Sequence, residues 1–469
     1  MRPGTRRDLL KGVGALGAVG ATGLAGCLGN DDDDPPTDDD PADDDPADDD
    51  AAPTDETITI GALQPVSGDL QYYGESSLMG FYSGIAYKYG VGPDEVGDLT
   101  TGTYEFDPDD GPTYEIVLQD TELSVDTAQR VAEDLVVDHD ADILWGGTLS
   151  ESARRIIGTV VAEANIPYVV GPAADADITS SADHCHERVF RTSEHTAMDA
   201  RAGGRFVAEE TDVSTVAIFY LDDAFGRSVA NNWEAVLEAE GIEVLEPRGV
   251  DSGFTEFEGL YDEAVEDGAD GVVGGFTAIQ LPAFLSTGFA YDVQLFGGFA
   301  DLLSTQLIGD TIVEGLGEDF TAEDIREAGL GPFTSRYHWN QFDNPTNDAF
   351  TEMMVDTYGM VPDLFTSGTF AAGSAIVQAV EESGSVDADD VAATLRGMSI
   401  DDTPKGDGGY AFRESDNQAV SDMTVAWPEP TADEFAETWP TVLMPGEPIA
   451  TMSGDEIVVP EDEMTCDLS

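Results

Sequence analysis

The chain has 469 residues, of which 96 are acidic and 19 basic, so its formal net charge is −77. This charge argues against nucleic-acid binding, which needs a basic surface. Only three residues are lysines. High acid content with scarce lysine is typical of proteins adapted to molar salt, where the Debye length of about 3 Å screens self-repulsion. We therefore interpret the charge as haloadaptation.

The N-terminus has the pattern of an export signal. Arg6 and Arg7 precede an apolar, glycine-rich run from Gly12 to Gly26. A basic region before a short apolar region is typical of a signal peptide, and paired arginines indicate the twin-arginine route. The run is shorter than the roughly 20 apolar residues of a membrane span. Residues 1–26 are therefore predicted to be a twin-arginine signal.

Leu24-Ala25-Gly26-Cys27 ends this run with small residues before a cysteine. The pattern resembles a lipobox, in which Cys27 would become the new N-terminus and carry a lipid. The predicted location is the extracytoplasmic face of the cell membrane, with the lipid on Cys27 as the anchor. An ordinary cleaved signal followed by an incidental cysteine is the alternative.

Residues 27–56 are rich in aspartate, with proline, alanine and threonine between the acidic runs. Such a segment cannot bury a core, and its like charges and prolines keep it extended. We interpret it as a disordered tether that holds the rest of the chain away from a surface.

From residue 57 onward, short β-rich runs alternate with longer helical runs, and the alternation restarts after residue 191. This pattern predicts two α/β lobes with mostly parallel sheets, whose ligands bind beyond the carboxyl ends of the strands. In the first run, strands are predicted at 57–62, 114–118, 143–145 and 168–170, and helices at 74–89, 124–135 and 152–164. In the second, helices are predicted at 197–210, 227–240, 257–266 and 279–287, and strands at 215–220, from 242, and at 271–273.

Short motifs follow these strands in a characteristic order. They are Pro65-Val66-Ser67-Gly68 with Tyr73-Gly74, then Asp120-Thr121, Gly146-Gly147-Thr148-Leu149-Ser150, Gly171-Pro172-Ala173-Ala174, Phe190-Arg191-Thr192, and Asp222-Asp223-Ala224-Phe225-Gly226. Their order and spacing resemble the leucine/isoleucine/valine-binding protein family. The resemblance implies the type I periplasmic-binding-protein fold, with two doubly wound parallel-sheet lobes and a three-strand hinge. Lobe 1 would contain residues 57–191 and 338–395, and lobe 2 residues 192–337 and 396–469.

The resemblance also implies a ligand site in the cleft. The hydroxyl of Ser150 and the backbone N–H groups at the start of its helix would bind a ligand carboxylate. Asp301 would bind an ammonium group. Ala173 would offer a backbone carbonyl, whereas Asp175 stands where the family usually has a hydroxyl, which puts branched-chain amino acids in doubt. Aromatic side chains would cover the ligand's apolar part: Tyr73, Phe225 and Phe276. Apart from Ala173, each of these residues has a plain alternative: Ser150 as a helix cap, the aromatic residues as core, and the two aspartates as ordinary acids of a very acidic chain.

Two cysteines remain after Cys27. An exported chain permits a disulfide between Cys185 and Cys466, but both could also be free. The run His184-Cys185-His186 matches no common zinc spacing, so no metal site or cofactor is predicted.

We expect a substrate-binding protein of an ABC importer, a monomer that captures a small polar solute such as an amino acid, an amide or a urea-like compound. Its partners would be the permease and ATPase subunits. The main alternative is the ligand-sensing part of a receptor, which has the same fold. An enzyme is not expected, because no nucleophile elbow, phosphate loop or metal-spaced histidine cluster occurs. A structural surface protein would not need the aligned cleft residues.

Overall fold

The computed structural model describes residues 56–90, 99–109, 111–298 and 301–468. The predicted signal, Cys27 and the predicted tether up to residue 55 lie outside the described residues. In chain order the strands are β1 (Thr57–Gln64), β2 (Gly102–Phe106), β3 (Thr113–Asp120), β4 (Ile143–Gly146), β5 (Tyr168–Val170), β6 (Val189–Arg191), β7 (Thr215–Leu221), β8 (Glu243–Val244), β9 (Arg248–Val250), β10 (Gly271–Gly275), β11 (Gln294–Phe296), β12 (Phe333–Ser335), β13 (Ser399–Ile400), β14 (Tyr410–Phe412), β15 (Ala419–Val420), β16 (Met423–Pro430) and β17 (Leu443–Met452).

The first helix is long and mostly buried, and most of the later helices lie between strands along the chain. They are α1 (Gln71–Tyr89), α2 (Val125–Val137), α3 (Ser150–Ile156), which continues through a π-helical turn (Ile157–Val161) into α4 (Ala162–Ala164), α5 (Asp177–Ser180), α6 (Thr196–Glu210), α7 (Ala224–Ala239), α8 (Glu258–Glu266), α9 (Leu281–Gly288), α10 (Leu302–Leu316), α11 (Ala322–Glu327), α12 (Pro345–Tyr358), α13 (Leu364–Ser383), α14 (Ala388–Leu395) and α15 (Gly454–Ile457). In the part of the chain that the structure describes, no helix combines the length and the apolar character needed to cross a membrane.

The first lobe is built on a six-stranded sheet in the order β2-β3-β1-β4-β5-β6. Neighbouring strands are parallel except β2, which runs antiparallel to β3. Side chains alternate between the two faces because the period of a strand is two. In β3, Ile116 and Leu118 pack into the core that α1 and α13 cover, and Val117 packs into the core that α2 and α3 cover.

The second lobe has a smaller parallel sheet in the order β11-β10-β7-β8, with β9 pairing β7. Helices cover both of its faces. One core contains Trp233 and Leu237 of α7, and the other contains Phe257 and Phe284 beside α8 and α9. The α/β class and the two parallel-sheet lobes predicted from the sequence are confirmed.

The chain changes lobe again after β12, and the segments that follow are divided between the two lobes. Helices α12 and α13 return to the first lobe, where α13 packs along α1. The predicted boundary assigned residues 396–469 to the second lobe. The structure differs, because Ile400, Tyr410 and Phe412 lie in the core of the first lobe. Only with β16, which pairs β12, does the chain enter the second lobe again.

The C-terminal tail then connects the lobes once more. Ile457 packs against Met198 and Ala202 of α6 in the second lobe. A few residues later the tail lies on the first lobe, where the backbone N–H of Cys466 donates to the carbonyl of Ser180 at 3.0 Å. A disulfide joins Cys466 to Cys185, with 6.0 Å between their Cα atoms. Residues 457–466 therefore form a fourth connection, which we call the C-terminal strap.

Candidate ligand-binding site

A cavity of about 220 Å³ lies between the two lobes, beside the carboxyl ends of their strands. Both lobes line it, and most of the lining is apolar, as is usual for small-molecule sites. The aromatic lining residues are Tyr73, Phe225, Trp233, Phe276 and Phe365, and the charged ones are Glu151, Asp199, Asp223, Asp301 and Arg336.

Hydrogen bonds join the lobes around this cavity. The backbone N–H of Ala278 in lobe 2 donates to the hydroxyl of Tyr73 in lobe 1, at 3.0 Å. On another side, the N–H of Ala176 in lobe 1 donates to the hydroxyl of Ser228 in lobe 2, at 3.1 Å. The two lobes therefore stand closed over the cavity.

Ser150 begins α3 directly after the loop that follows β4. β4 ends at Gly146, whose φ is +117° and where a Cβ would lie 2.4 Å from the carbonyl oxygen of Leu63, so only glycine fits. The Ser150 hydroxyl oxygen accepts from the backbone N–H of Asp175 at 3.2 Å. Among the described residues no acceptor is found for its own hydrogen, and next to it lie the backbone N–H groups of a helix start that no side chain caps.

The aromatic residues from the two lobes face the cavity in different settings. Tyr73 is buried, and its ring centroid lies 4.5 Å from that of Phe365. Phe276 is anchored on an aromatic cluster, with Phe257 at 5.3 Å and Phe284 at 5.2 Å between centroids. Phe225 lies in the first turn of α7 and is only half-buried. Together they offer flat apolar surface to a bound solute.

Asp301 lines the cavity and caps α10, where its carboxylate accepts from the backbone N–H of Ser304 at 2.8 Å. Burial raises the pKa of Asp301, and the hydrogen bonds from Ser304 partly offset this increase. No ion pair of Asp301 is found among the described residues. A buried carboxylate without a counter-ion gains most from a ligand that brings a positive group.

Ala173 and Asp175 do not line the cavity, whereas their neighbours Pro172 and Ala174 do. The physical reason is Arg191, which is fully buried at the first crossing. Its guanidinium donates to the carbonyl of Asp175 at 2.6 Å and to the carbonyl of Ala173 at 3.4 Å. The Asp175 carboxylate forms an ion pair with Arg154. Burial raises the pKa of Asp175, and Arg154 opposes this effect.

Several lining residues were not predicted from the sequence. Trp233 and Phe365 have the helical spacing of core residues, which gives no separate signal. Asp199 and Arg336 lie 137 positions apart and form an ion pair at the cavity. The one available signal was that Arg336 stands at the second lobe crossing, in a chain with few basic residues.

Comparisons with known proteins agree with this architecture. A profile of the family described as “Periplasmic binding protein” matches residues 57–429. The leucine-, isoleucine-, valine-, threonine- and alanine-binding protein of Pseudomonas aeruginosa is 23% identical over 356 residues, which cover 76% of this chain and 86% of that protein.

Two solved structures illustrate the fold. The amino acid ABC transporter substrate-binding protein of Pseudomonas fluorescens Pf-5 matches with a TM-score of 0.68 at 18% identity, over 88% of this chain and 99% of that one. An ABC transporter solute-binding protein of R. palustris in complex with 4-hydroxybenzoate matches with a TM-score of 0.65 at 19% identity, over 85% and 97% of the two chains.

These matches confirm the type I fold and the predicted kinship with branched-chain amino acid transport proteins. The relatives are extracytoplasmic solute-binding proteins of ABC transporters, not enzymes. The chain belongs to the periplasmic-binding-protein family.

Proposed function

We propose that this protein captures an amino acid with an uncharged, largely apolar side chain and delivers it to an ABC importer. The observation that carries the proposal is the buried Asp301 carboxylate, which has no ion pair among the described residues and borders an apolar, aromatic cavity. In this assignment the ammonium group of the solute lies at Asp301, its carboxylate at Ser150, and its side chain against Tyr73, Phe225 and Phe276.

The charges at the cavity favour a zwitterion over a simple anion. Glu151, Asp223 and Asp301 contribute carboxylates, whereas the guanidinium of Arg336 is already paired with Asp199. A solute with only a negative charge would meet repulsion from these carboxylates, and a zwitterion would offset part of it. The related Pseudomonas aeruginosa protein, which by its name binds leucine, isoleucine, valine, threonine and alanine, supports the same class.

An aromatic carboxylate is the second candidate. The ring-rich wall of Tyr73, Phe276 and Phe365 favours it, and a structural neighbour binds 4-hydroxybenzoate. This candidate gives Asp301 no positive group to bind, which is why we rank it second.

Calorimetric titration in molar salt with L-leucine and with 4-hydroxybenzoate separates the two candidates. For leucine, Asp301→Asn should weaken binding by about 1.5–3 kcal/mol, the range for a hydrogen bond to a charged group, or roughly tenfold to a hundredfold in Kd. Asp310→Asn, at an exposed position of the same helix, is the matched control. Tight binding of 4-hydroxybenzoate, with no binding of leucine or other amino acids, would contradict the proposal.

The proposal extends to the cell surface. The lipobox-like sequence that ends at Cys27 supports a lipid anchor, the paired arginines support twin-arginine export, and the acidic segment supports a tether. The protein would act as a monomer with the permease and ATPase subunits of the importer. Cys27→Ser should move the protein from the membrane fraction to the medium in a cell fractionation. Retention in the membrane with an intact N-terminus would contradict lipid anchoring.

A further inference from the structure

The charged wall of the cavity has a feature that the assigned contacts do not use. Arg336 and Asp199 both line the cavity, and among the described lining residues no other side chain is cationic. Asp199 lies in the first turn of α6, and Arg336 directly follows β12. Each side chain is about one tenth exposed, at 11%.

The two side chains are matched in geometry. Nε of Arg336 lies 3.1 and 3.2 Å from the two carboxylate oxygens of Asp199, and Nη2 lies 2.5 Å from Oδ2. Burial, the largest single effect, lowers the pKa of Arg336, but the charge and hydrogen bonds of Asp199 together with the nearby Glu194 and Tyr410 more than offset it, so the pKa lies above its ordinary value. A bidentate pair of this kind keeps both groups ionised while their charges cancel.

We propose that the Arg336–Asp199 pair is a specificity determinant that makes this wall of the cavity polar but electrically neutral. The inference rests on the proposed function, because it assumes that an amino acid occupies the cavity. A charged side chain that extends past the aromatic residues to this wall would lose its hydration with little compensation, because the wall has no net charge. A solute with an uncharged side chain loses much less, so the pair selects against acidic and basic amino acids.

Removing one partner should reverse this selection in a predictable direction, because the other charge is left uncompensated. Asp199→Asn leaves the Arg336 guanidinium free to attract a side-chain carboxylate. Arg336→Gln leaves the Asp199 carboxylate free to attract a side-chain cation. The double variant removes both charges and should again favour an uncharged side chain.

The experiment measures Kd for L-leucine, L-glutamate and L-lysine by calorimetry in molar salt. In Asp199→Asn, the affinity for glutamate relative to that for leucine should increase roughly tenfold or more. In Arg336→Gln, the relative affinity for lysine should increase by as much. The double variant should bind the three amino acids in the same order of affinity as the wild type does. Arg130→Gln and Asp134→Asn split an exposed ion pair in the first lobe and should change nothing. Arg336→Gln is sufficient by itself if Asp199→Asn does not fold.

Two negative results are distinguishable. If Asp301→Asn weakens leucine binding but neither single variant of the pair changes the order of the three amino acids, the pair is only structural and the inference is wrong. If neither the wild type nor any variant binds any of the three amino acids, both this inference and the proposed function are wrong.

Discussion

In the proposed binding mode, the Ser150 hydroxyl group would have both a structural and a binding role. Its oxygen accepts from the backbone N–H of Asp175, which fixes the loop that lines the cavity beside it, and in the proposed binding mode its hydrogen would be donated to the solute. The same loop is held from behind by the buried guanidinium of Arg191, which donates to the Asp175 carbonyl. Contacts within the protein therefore hold this edge of the cavity in place.

We predict that Ser150→Ala raises the Kd for the captured amino acid roughly tenfold to a hundredfold, because one hydrogen bond to a carboxylate, worth about 1.5–3 kcal/mol, is lost. Titration calorimetry measures this. Ser286→Ala removes an exposed helix hydroxyl in the second lobe and serves as the control. Wild-type affinity in Ser150→Ala would place the carboxylate elsewhere in the cavity.

Two helices from opposite lobes begin at the same buried carboxylate. Asp363 caps its own helix α13, where Oδ1 accepts from the N–H of Phe365 at 3.1 Å. Its Oδ2 accepts from the N–H of Leu302, the first residue of α10 in the second lobe, at 3.0 Å, and from the hydroxyl of Tyr72 at 2.5 Å. Burial, followed by the nearby Asp301, raises the pKa of Asp363 from 3.8 to about 7.

This carboxyl group gives a prediction for pH. Its folded-state pKa is raised, so between pH 3.8 and about 7 the carboxyl group is protonated in the folded protein and ionised in the unfolded chain. The associated stability is fully present below this window and is lost as the pH rises through about 7. The free energy of unfolding should therefore fall less steeply over this window in Asp363→Asn than in the wild type, as measured by denaturant titration.

The control for Asp363→Asn is a capping aspartate at an exposed position. Asp387 caps α14 at an exposed position, so Asp387→Asn is the matched control and should keep the slope of the wild type. Equal slopes in Asp363→Asn and the wild type would show that Asp363 does not bind this proton.

The C-terminal strap is the element that the chain adds to the three lobe crossings. It packs on α6 through Ile457 and reaches the first lobe, where Cys466 is bonded to Cys185. We predict that the double variant Cys185→Ser, Cys466→Ser loses about 2–4 kcal/mol of stability, because the cross-link no longer restricts the unfolded chain. Thermal unfolding and limited proteolysis of the strap measure this. An unchanged melting temperature would mean that the noncovalent contacts of the strap suffice.

The whole molecule is a strongly charged body with a few well-matched internal ion pairs. The full chain has a formal net charge of −77, and most carboxylates in the described ranges are exposed, whereas Lys405 and Glu194 form a buried pair with side chains 1% and 2% exposed. Salt screens the first kind of charge and barely affects the second. The salt dependence of the fold should therefore report surface repulsion.

We predict that the melting temperature falls continuously as the salt concentration is lowered from molar to about 0.1 M, where the Debye length grows from about 3 Å to about 10 Å. Differential scanning calorimetry in potassium chloride measures this. A neutral osmolyte at matched osmolality should not replace the salt, since it does not screen charge. A melting temperature that does not depend on salt would contradict haloadaptation.

The sequence by itself determined the class of fold, and its resemblance to the leucine/isoleucine/valine-binding protein family implied several of the cavity residues. Strand and helix periods are local properties, so alternation along the chain was enough to predict two parallel-sheet lobes. Tyr73, Ser150, Phe225, Phe276 and Asp301 line the cavity because each follows a strand or opens a helix at the sheet edge where such loops converge.

Only the tertiary structure decided what depends on distant partners. Arg191 holds the carbonyls of Ala173 and Asp175 away from the cavity, and no local pattern announces that contact. Arg336 meets Asp199 across 137 positions for the same reason. Residues after 395 divide between the lobes because Tyr410 and its neighbours bury apolar surface in the first lobe before β16 pairs in the second. Burial and ion pairing between distant segments are set by packing, which local periodicity does not encode.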